Sequence, residues 1–204
     1  NQWQPDVMID THTSNGAEYP YTMTLIATQK DKLHPLLSEF MTSNMLPYLY
    51  KDMDKKGWEM VPYVYSRGLP DTGIYGFMET PRYSSGYAAL HHTISFMPET
   101  HMLKPYKDRV ESTLAFLRTT TEYLASNGSK LIQIRKNVKS MVKEQGLFPI
   151  TYTLDTQKAD SLLFKGYTAS YKKSEVSGLD RLYYDKSKQK KKTIPYFNHY
   201  LPET

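Results

Sequence analysis

The spacing of apolar residues predicts two long helical regions. Between residues 31 and 54 they recur every three or four positions, which is typical of an amphipathic helix, and Pro47 predicts a bend within it. A second helix is expected to begin near Pro105, since proline suits a first helical turn, and the Asn-Gly pair at 127–128 predicts its end. A further helical stretch covers residues 131–145, and we expect it to be continuous in space with the end of the first element.

Short apolar runs predict strands elsewhere. In the first part of the chain these runs are residues 7–12, 59–65, 74–78 and 93–97. The first run ends at His12 and the last is closely followed by Glu99. Both side chains are therefore expected at the carboxyl ends of strands, where ligands gather in α/β folds. We expect an α/β fold with a mixed sheet over residues 1–145.

The pattern changes after Gly146. Four strand-like segments, separated by turn residues, cover 148–154, 161–171, 180–185 and 193–200. They predict a small antiparallel β unit over residues 146–204, with a domain boundary near residue 146.

The composition is that of a globular chain, and it argues against two kinds of partner. Hydrophobic residues make up 39% and charged residues 23%, the balance of a folded domain. The formal net charge is +5, and much of it lies in a lysine run at 186–192, which we expect to form a solvated hairpin tip. No aromatic residues interleave with those lysines, so nucleic acid is not an expected partner. No apolar stretch is long enough to predict a membrane span.

The absence of cysteine restricts any metal site to His, Asp or Glu ligands. His12 is the first candidate, because Asp10 lies two residues before it on the same side of a strand. A carboxylate in that place can hold the second ring nitrogen of a zinc-binding imidazole, or it can lie near the metal itself. A single histidine in such a motif is nevertheless more often structural.

Glu99 is the second candidate. It follows an apolar strand, where an unpaired carboxylate is costly to bury. Two explanations fit: an ion pair with Lys104 or Arg109, or proton transfer as the general base of a zinc hydrolase. His101, two residues further on, is a candidate for orienting this carboxylate.

Three stretches of the sequence carry a family resemblance. They are PDVMIDTHTSNGAEYPYTMT, GFMETPRYSSGYAALHH and FMPETHMLKPYKDRV. In this order they resemble the second half of the catalytic domain of bacterial zinc metallocarboxypeptidases, over about residues 4–124. The resemblance implies part of that family's three-layer mixed-sheet fold, a peptide substrate, and a periplasmic or secreted setting.

The resemblance also implies roles for single residues. His12 corresponds to the family's third zinc ligand, and Glu99 to its general base. Tyr83, or as second choice Tyr87, corresponds to a tyrosine that contacts the substrate. Arg82 is a looser candidate for binding a substrate carboxylate, which arginine can hold through two hydrogen bonds.

One part of the family pattern is absent. The family's other two zinc ligands come from an HxxE motif upstream of the DxH strand. None of the six histidines is followed by glutamate three residues later; they are His12, His34, His91, His92, His101 and His199. A catalytic zinc site takes about three protein ligands. The resemblance therefore implies that the N-terminal half of the catalytic domain is a missing partner, and that residues 1–204 alone bind zinc weakly and are inactive.

Two other functions stay open. An amidase or deacylase acting on N-acyl amino acids would use the same zinc chemistry with a different substrate pocket. A non-catalytic module that binds peptide or glycan would fit the 18 tyrosines and the β unit. A zinc-dependent metallocarboxypeptidase that hydrolyses peptide bonds is the preferred hypothesis, because three separate motifs agree in order.

Overall fold

Ten strands form three sheets in the computed structural model, which describes residues 2–204. The strands are β1 (Val7–Ile9), β2 (His12–Ser14), β3 (Met23–Ala27), β4 (Met60–Pro62), β5 (Ile74–Tyr75), β6 (Ile94–His101), β7 (Thr151–Leu154), β8 (Asp160–Lys173), β9 (Asp180–Phe197) and β10 (Tyr200–Glu203). One sheet has five strands, one has three, and β7 with β10 makes the third. The expected mixed α/β class with a small antiparallel β unit is confirmed.

Helices pack against the five-stranded sheet and enclose the main core with it. They are α1 (Pro35–Glu39), a π-helical segment (Phe40–Met45), α2 (Leu46–Lys55), α3 (Ser84–Leu90) and α4 (Tyr106–Lys143), with short 3-10 turns at Lys30–Lys32 and Pro70–Thr72. Buried side chains from β6, α1 and α4 meet in this core, among them Phe96, Leu37 and Phe116. Their burial is the main source of stability for this part of the chain.

Strand β6 lies inside the five-stranded sheet and organises it. β1 and β2 pair parallel with β6 on one side, β3 pairs antiparallel with it on the other, and β4 is parallel to β3. All eight residues of β6 are buried. The apolar run at 93–97 predicted only the first part of this strand. It continues to His101, because β2 and β3 supply hydrogen-bonding partners for its second half.

The helical region predicted at 31–54 is helical but divided. A π-helical segment separates α1 from α2, and its last turn is closed by Leu46 N–H donating to Met41 O, five residues back. Pro47 follows at once in the first turn of α2 and has no N–H to donate. A widened turn therefore precedes Pro47, and the bend predicted from this proline stays a prediction.

Helix α4 runs unbroken for 38 residues, so the end predicted at 127–128 is wrong. The Asn127 side chain donates to Tyr123 O within the helix at 3.0 Å. A glycine inside a helix costs about 1 kcal/mol relative to alanine. Leu131 and Val138, both fully buried, each contribute about 1.5–3 kcal/mol and outweigh that cost.

The lysine run lies inside a strand, so the prediction of a hairpin tip is wrong. β8 and β9 form one long antiparallel hairpin whose turn is at residues 174–179. The pairing register shifts between Tyr167 and Thr168, which face Gln189 and Asp185, and leaves residues 186–188 as a bulge. The lysines are nevertheless exposed on this strand, as a solvated face requires.

The domain boundary near residue 146 stays a prediction, and contacts connect the two parts of the chain on either side of it. β5 from the first part pairs parallel with β9 from the second. A second core joins side chains from both parts: Tyr19, Tyr21, Val61, Ile74, Phe164 and Ile194. Across residues 2–204, no helix has both the length and the apolar character that a membrane crossing requires.

Candidate active site

His12 and Glu99 occupy paired positions on neighbouring parallel strands. The register of β2 and β6 sets the two residues side by side, so their side chains project from the same face of the sheet. His12 Nδ1 lies 4.0 Å from Glu99 Oε1. The imidazole is 45% exposed, whereas the carboxylate is 9% exposed. The structure thus brings the two principal candidates together, with the ring open to solvent and the acid largely covered.

Asp10 lies on the other side of the His12 ring. Its Oδ2 is 3.1 Å from His12 Nε2, and the same oxygen accepts a hydrogen bond from the Ser84 hydroxyl. The hydrogen bond from Ser84 is the main cause that lowers the pKa of Asp10; partial burial opposes it, and His12 adds to the lowering. A neutral His12 that donates from Nε2 keeps a lone pair on Nδ1, on the side of Glu99. This geometry is what the carboxylate partner of a metal-binding histidine provides.

The Glu99 carboxyl is paired with neither of the cations considered from the sequence. Lys104 Nζ donates to Tyr19 O at 2.6 Å, and the Arg109 guanidinium lies 5.7 Å above the ring of Tyr106. Burial raises the pKa of Glu99; the positive charge of His12 opposes this, and the negative charge of Asp10 adds to it. The pKa of this carboxyl therefore lies above the ordinary value of a glutamate, which makes it a better proton acceptor.

Two tyrosines near Glu99 were not identified from the sequence. Tyr19 is buried, and its hydroxyl lies 3.3 Å from Ser14 Oγ on β2. Burial raises the pKa of Tyr19 and of Tyr63, and the nearby charge of Glu99 raises both further. Tyr19 lies within the first of the three resemblance stretches but was given no role there, and Tyr63 lies outside all three.

His101 is fully buried and contacts a loop instead of Glu99. Its Nε2 lies 2.9 Å from Ala17 O, and Leu103 N–H donates to its Nδ1 at 3.1 Å. These two contacts require the neutral ring with hydrogen on Nε2. Burial lowers the pKa of His101 and so also favours the neutral ring. Its ring also packs edge-on against Tyr19 at 4.8 Å. The contacts of His101 are those of a structural residue that holds the loop after β2.

The three substrate-binding candidates lie in or just before α3, in two surroundings. Tyr83 is 45% exposed and packs edge-on against Phe77, which in turn contacts Tyr63, the tyrosine whose pKa the charge of Glu99 raises. Tyr87 is equally exposed, but its ring lies 4.8 Å from His91. It lines a separate cavity of about 440 Å³. Arg82 is exposed in the turn before Tyr83. An aromatic contact chain therefore connects Tyr83 through Phe77 to Tyr63.

The candidate site offers one side chain that could serve as a zinc ligand. His12 offers Nδ1, an imidazole nitrogen of the kind that zinc prefers, with Nε2 held by a carboxylate. Within residues 2–204, no three His, Asp or Glu side chains are grouped so that they could hold one metal ion.

Comparison of the chain with protein-family models, with curated proteins and with solved structures finds no match. The assignment of a function therefore depends on the geometry of the site and on the motifs in the sequence.

Proposed function

We propose that this chain carries part of the active site of a zinc-dependent metallocarboxypeptidase-type hydrolase that cleaves peptide bonds. The observation that supports this most is the approach of His12 Nδ1 to Glu99 Oε1 at 4.0 Å, from paired positions of two parallel strands. A ligand nitrogen and a buried carboxyl converge there on one face of the sheet. The motifs that suggested these two residues did not specify their separation.

In this proposal His12 holds the metal through Nδ1, and Asp10 fixes the ring by accepting from Nε2. When bound, zinc would polarise the scissile carbonyl and make a water molecule more acidic. A catalytic site takes about three protein ligands, so the others belong to a segment outside residues 1–204. The HxxE motif of the family that the sequence resembles is the expected source.

Glu99 is the proposed general base. Its buried carboxyl, whose pKa is raised, takes a proton from the attacking water and returns it to the leaving amine nitrogen. Tyr83 is the proposed substrate contact, since its aromatic neighbours connect it to the vicinity of Glu99. Arg82, exposed in the adjacent turn, is the proposed partner of a substrate carboxylate.

The test uses the whole gene product that contains this chain. Zinc content is measured by mass spectrometry, and turnover is measured on peptides with free carboxyl termini and on N-acyl amino acids. Glu99→Gln should retain zinc and lower turnover roughly 10²–10⁴-fold, the usual contribution of a general base. His12→Ala should lose zinc and turnover together. Glu111→Gln, on the exposed side of α4, is the matched control and should behave as wild type.

Each outcome decides between the hypotheses. Cleavage of peptides that depends on Glu99 supports the peptidase. Cleavage of N-acyl amino acids alone, with the same dependence, identifies an amidase or deacylase. A protein that binds no zinc and cleaves neither substrate is a non-catalytic module, and the proposal is then wrong.

A further inference from the structure

Ser84, the first residue of α3, contacts the candidate site through Asp10. Its hydroxyl donates to Asp10 Oδ2 at 2.5 Å, and that oxygen also lies 3.1 Å from His12 Nε2. Asp10 lies in the two-residue gap between β1 and β2, where its N–H donates to Phe96 O at 3.0 Å. Its backbone is thus anchored to β6, while its half-exposed side chain needs a further contact to keep one orientation.

The position of Ser84 is itself firmly set. Gly86, one turn into α3, packs so closely on the preceding loop that a Cβ there would lie 2.1 Å from Thr80 O. Tyr83 N–H donates to the same carbonyl at 2.9 Å. The loop is held in turn by fully buried Glu79, whose Oε1 accepts from Gln29 N–H at 3.0 Å. The start of α3 therefore presents the Ser84 hydroxyl at a fixed place.

We propose that Ser84 is a positioning residue for the site. By holding Asp10 it selects the form of neutral His12 that carries hydrogen on Nε2, and so keeps the Nδ1 lone pair directed to the side of Glu99. A carboxylate free to rotate would leave the ring orientation and its protonated nitrogen less well defined. The consequence for catalysis rests on the proposed function, whereas the state of the His12 ring is a property of the chain itself.

The direct test is long-range proton–nitrogen NMR of the full chain with labelled histidine at about pH 8, where imidazoles are neutral. Wild-type His12 should carry hydrogen on Nε2. Ser84→Ala should raise the fraction with hydrogen on Nδ1 severalfold, and Ser84→Thr, which keeps the hydroxyl, should restore the wild-type spectrum. Ser85→Ala is the matched control, because Ser85 is buried against Glu79 and not against Asp10.

A second comparison separates a direct contact from general loosening of α3. In an Asp10→Ala background, Ser84→Ala should produce no further change at His12, because its partner is gone. If Ser84→Ala does not fold, Ser84→Cys, which keeps the shape and weakens the donor, replaces it. Wild-type His12 with hydrogen on Nδ1, or an unchanged His12 in the Ser84 variant that folds, would overturn the proposal. Because this readout needs neither zinc nor turnover, it succeeds or fails independently of the proposed function.

Discussion

Glu99 and His12 could be singled out from the sequence because both follow apolar strands and because three ordered motifs agree on them. Burying a carboxyl without a hydrogen-bonding or charged partner is unfavourable, and the two residues of a DxH motif lie on the same face of a strand. Ser84 and Tyr63 could not be identified in this way. Ser84 lies 74 residues from Asp10, and only the fold brings the two side chains together. Such partners leave no local pattern in the chain.

Glu79 gives a pH-dependent prediction at a single residue. Burial raises the pKa of this carboxyl, against the hydrogen bond from Gln29 and the positive charge of Lys32. The native state therefore keeps a proton that the unfolded chain releases, so this group weakens the fold as pH rises from the ordinary glutamate pKa through the raised one. Glu79→Gln removes that dependence. The free energy of unfolding of this variant should therefore increase relative to that of wild type as pH rises.

Urea unfolding at about pH 4 and about pH 8 measures the difference between Glu79→Gln and wild type. Glu111→Gln, at an exposed position on α4, should show a difference that changes little between the two pH values. A Glu79 difference that is constant, or that shrinks as pH rises, would show that the native and unfolded carboxyls titrate alike.

Elements were predicted better in type than in extent. Periodicity indicated the long helices and most strands, because it reports which face of an element is buried. Their ends depended on distant partners: β2 and β3 extend β6 to His101, and β8 converts the lysine run at 186–192 into strand. Helix α3 was not predicted, since its sequence SSGYAAL is rich in small residues and shows no apolar stripe. Those small residues are what allow it to lie close against the loop before it.

Two glycines in helices should respond oppositely to alanine. A Cβ at Gly128 meets nothing within 4 Å, so Gly128→Ala should stabilise α4 by about 0.5–1 kcal/mol through helix propensity. A Cβ at Gly86 would collide with Thr80 O, so Gly86→Ala should destabilise the protein by about 1–3 kcal/mol. Thermal and urea unfolding of both variants measure these changes. Equal effects of the same sign would contradict the packing described for α3.

The whole molecule is held together by contacts between its two parts. Apart from the shared second core, Gln29 Nε2 donates to Asn198 Oδ1 at 2.8 Å, and the Tyr200 hydroxyl donates to Gly76 O at 2.7 Å. Both contacts join the β unit to the first part of the chain. The sequence could not show this, because a change of pattern near residue 146 marks a change of element type and does not report contacts across it.

A chain that ends at residue 145 should therefore lose cooperative folding. It would expose the half of the second core formed by Tyr19, Tyr21, Val61 and Ile74. Each buried apolar side chain contributes about 1.5–3 kcal/mol, and a domain is stable by only about 5–15 kcal/mol in total. Calorimetry should show no sharp transition. Shortening the exposed turn at 174–179 is the control and should leave the unfolding temperature nearly unchanged. A sharp transition of the shortened chain at the wild-type temperature would contradict this account.

We propose that His12 holds a zinc ion through Nδ1, beside Glu99. Anomalous diffraction at the zinc edge from crystals of the whole gene product would locate this ion. We expect a peak about 2.0–2.1 Å from His12 Nδ1, with Asp10 still contacting Nε2. A peak bound to Nε2, or zinc bound elsewhere with no peak beside His12, would contradict it.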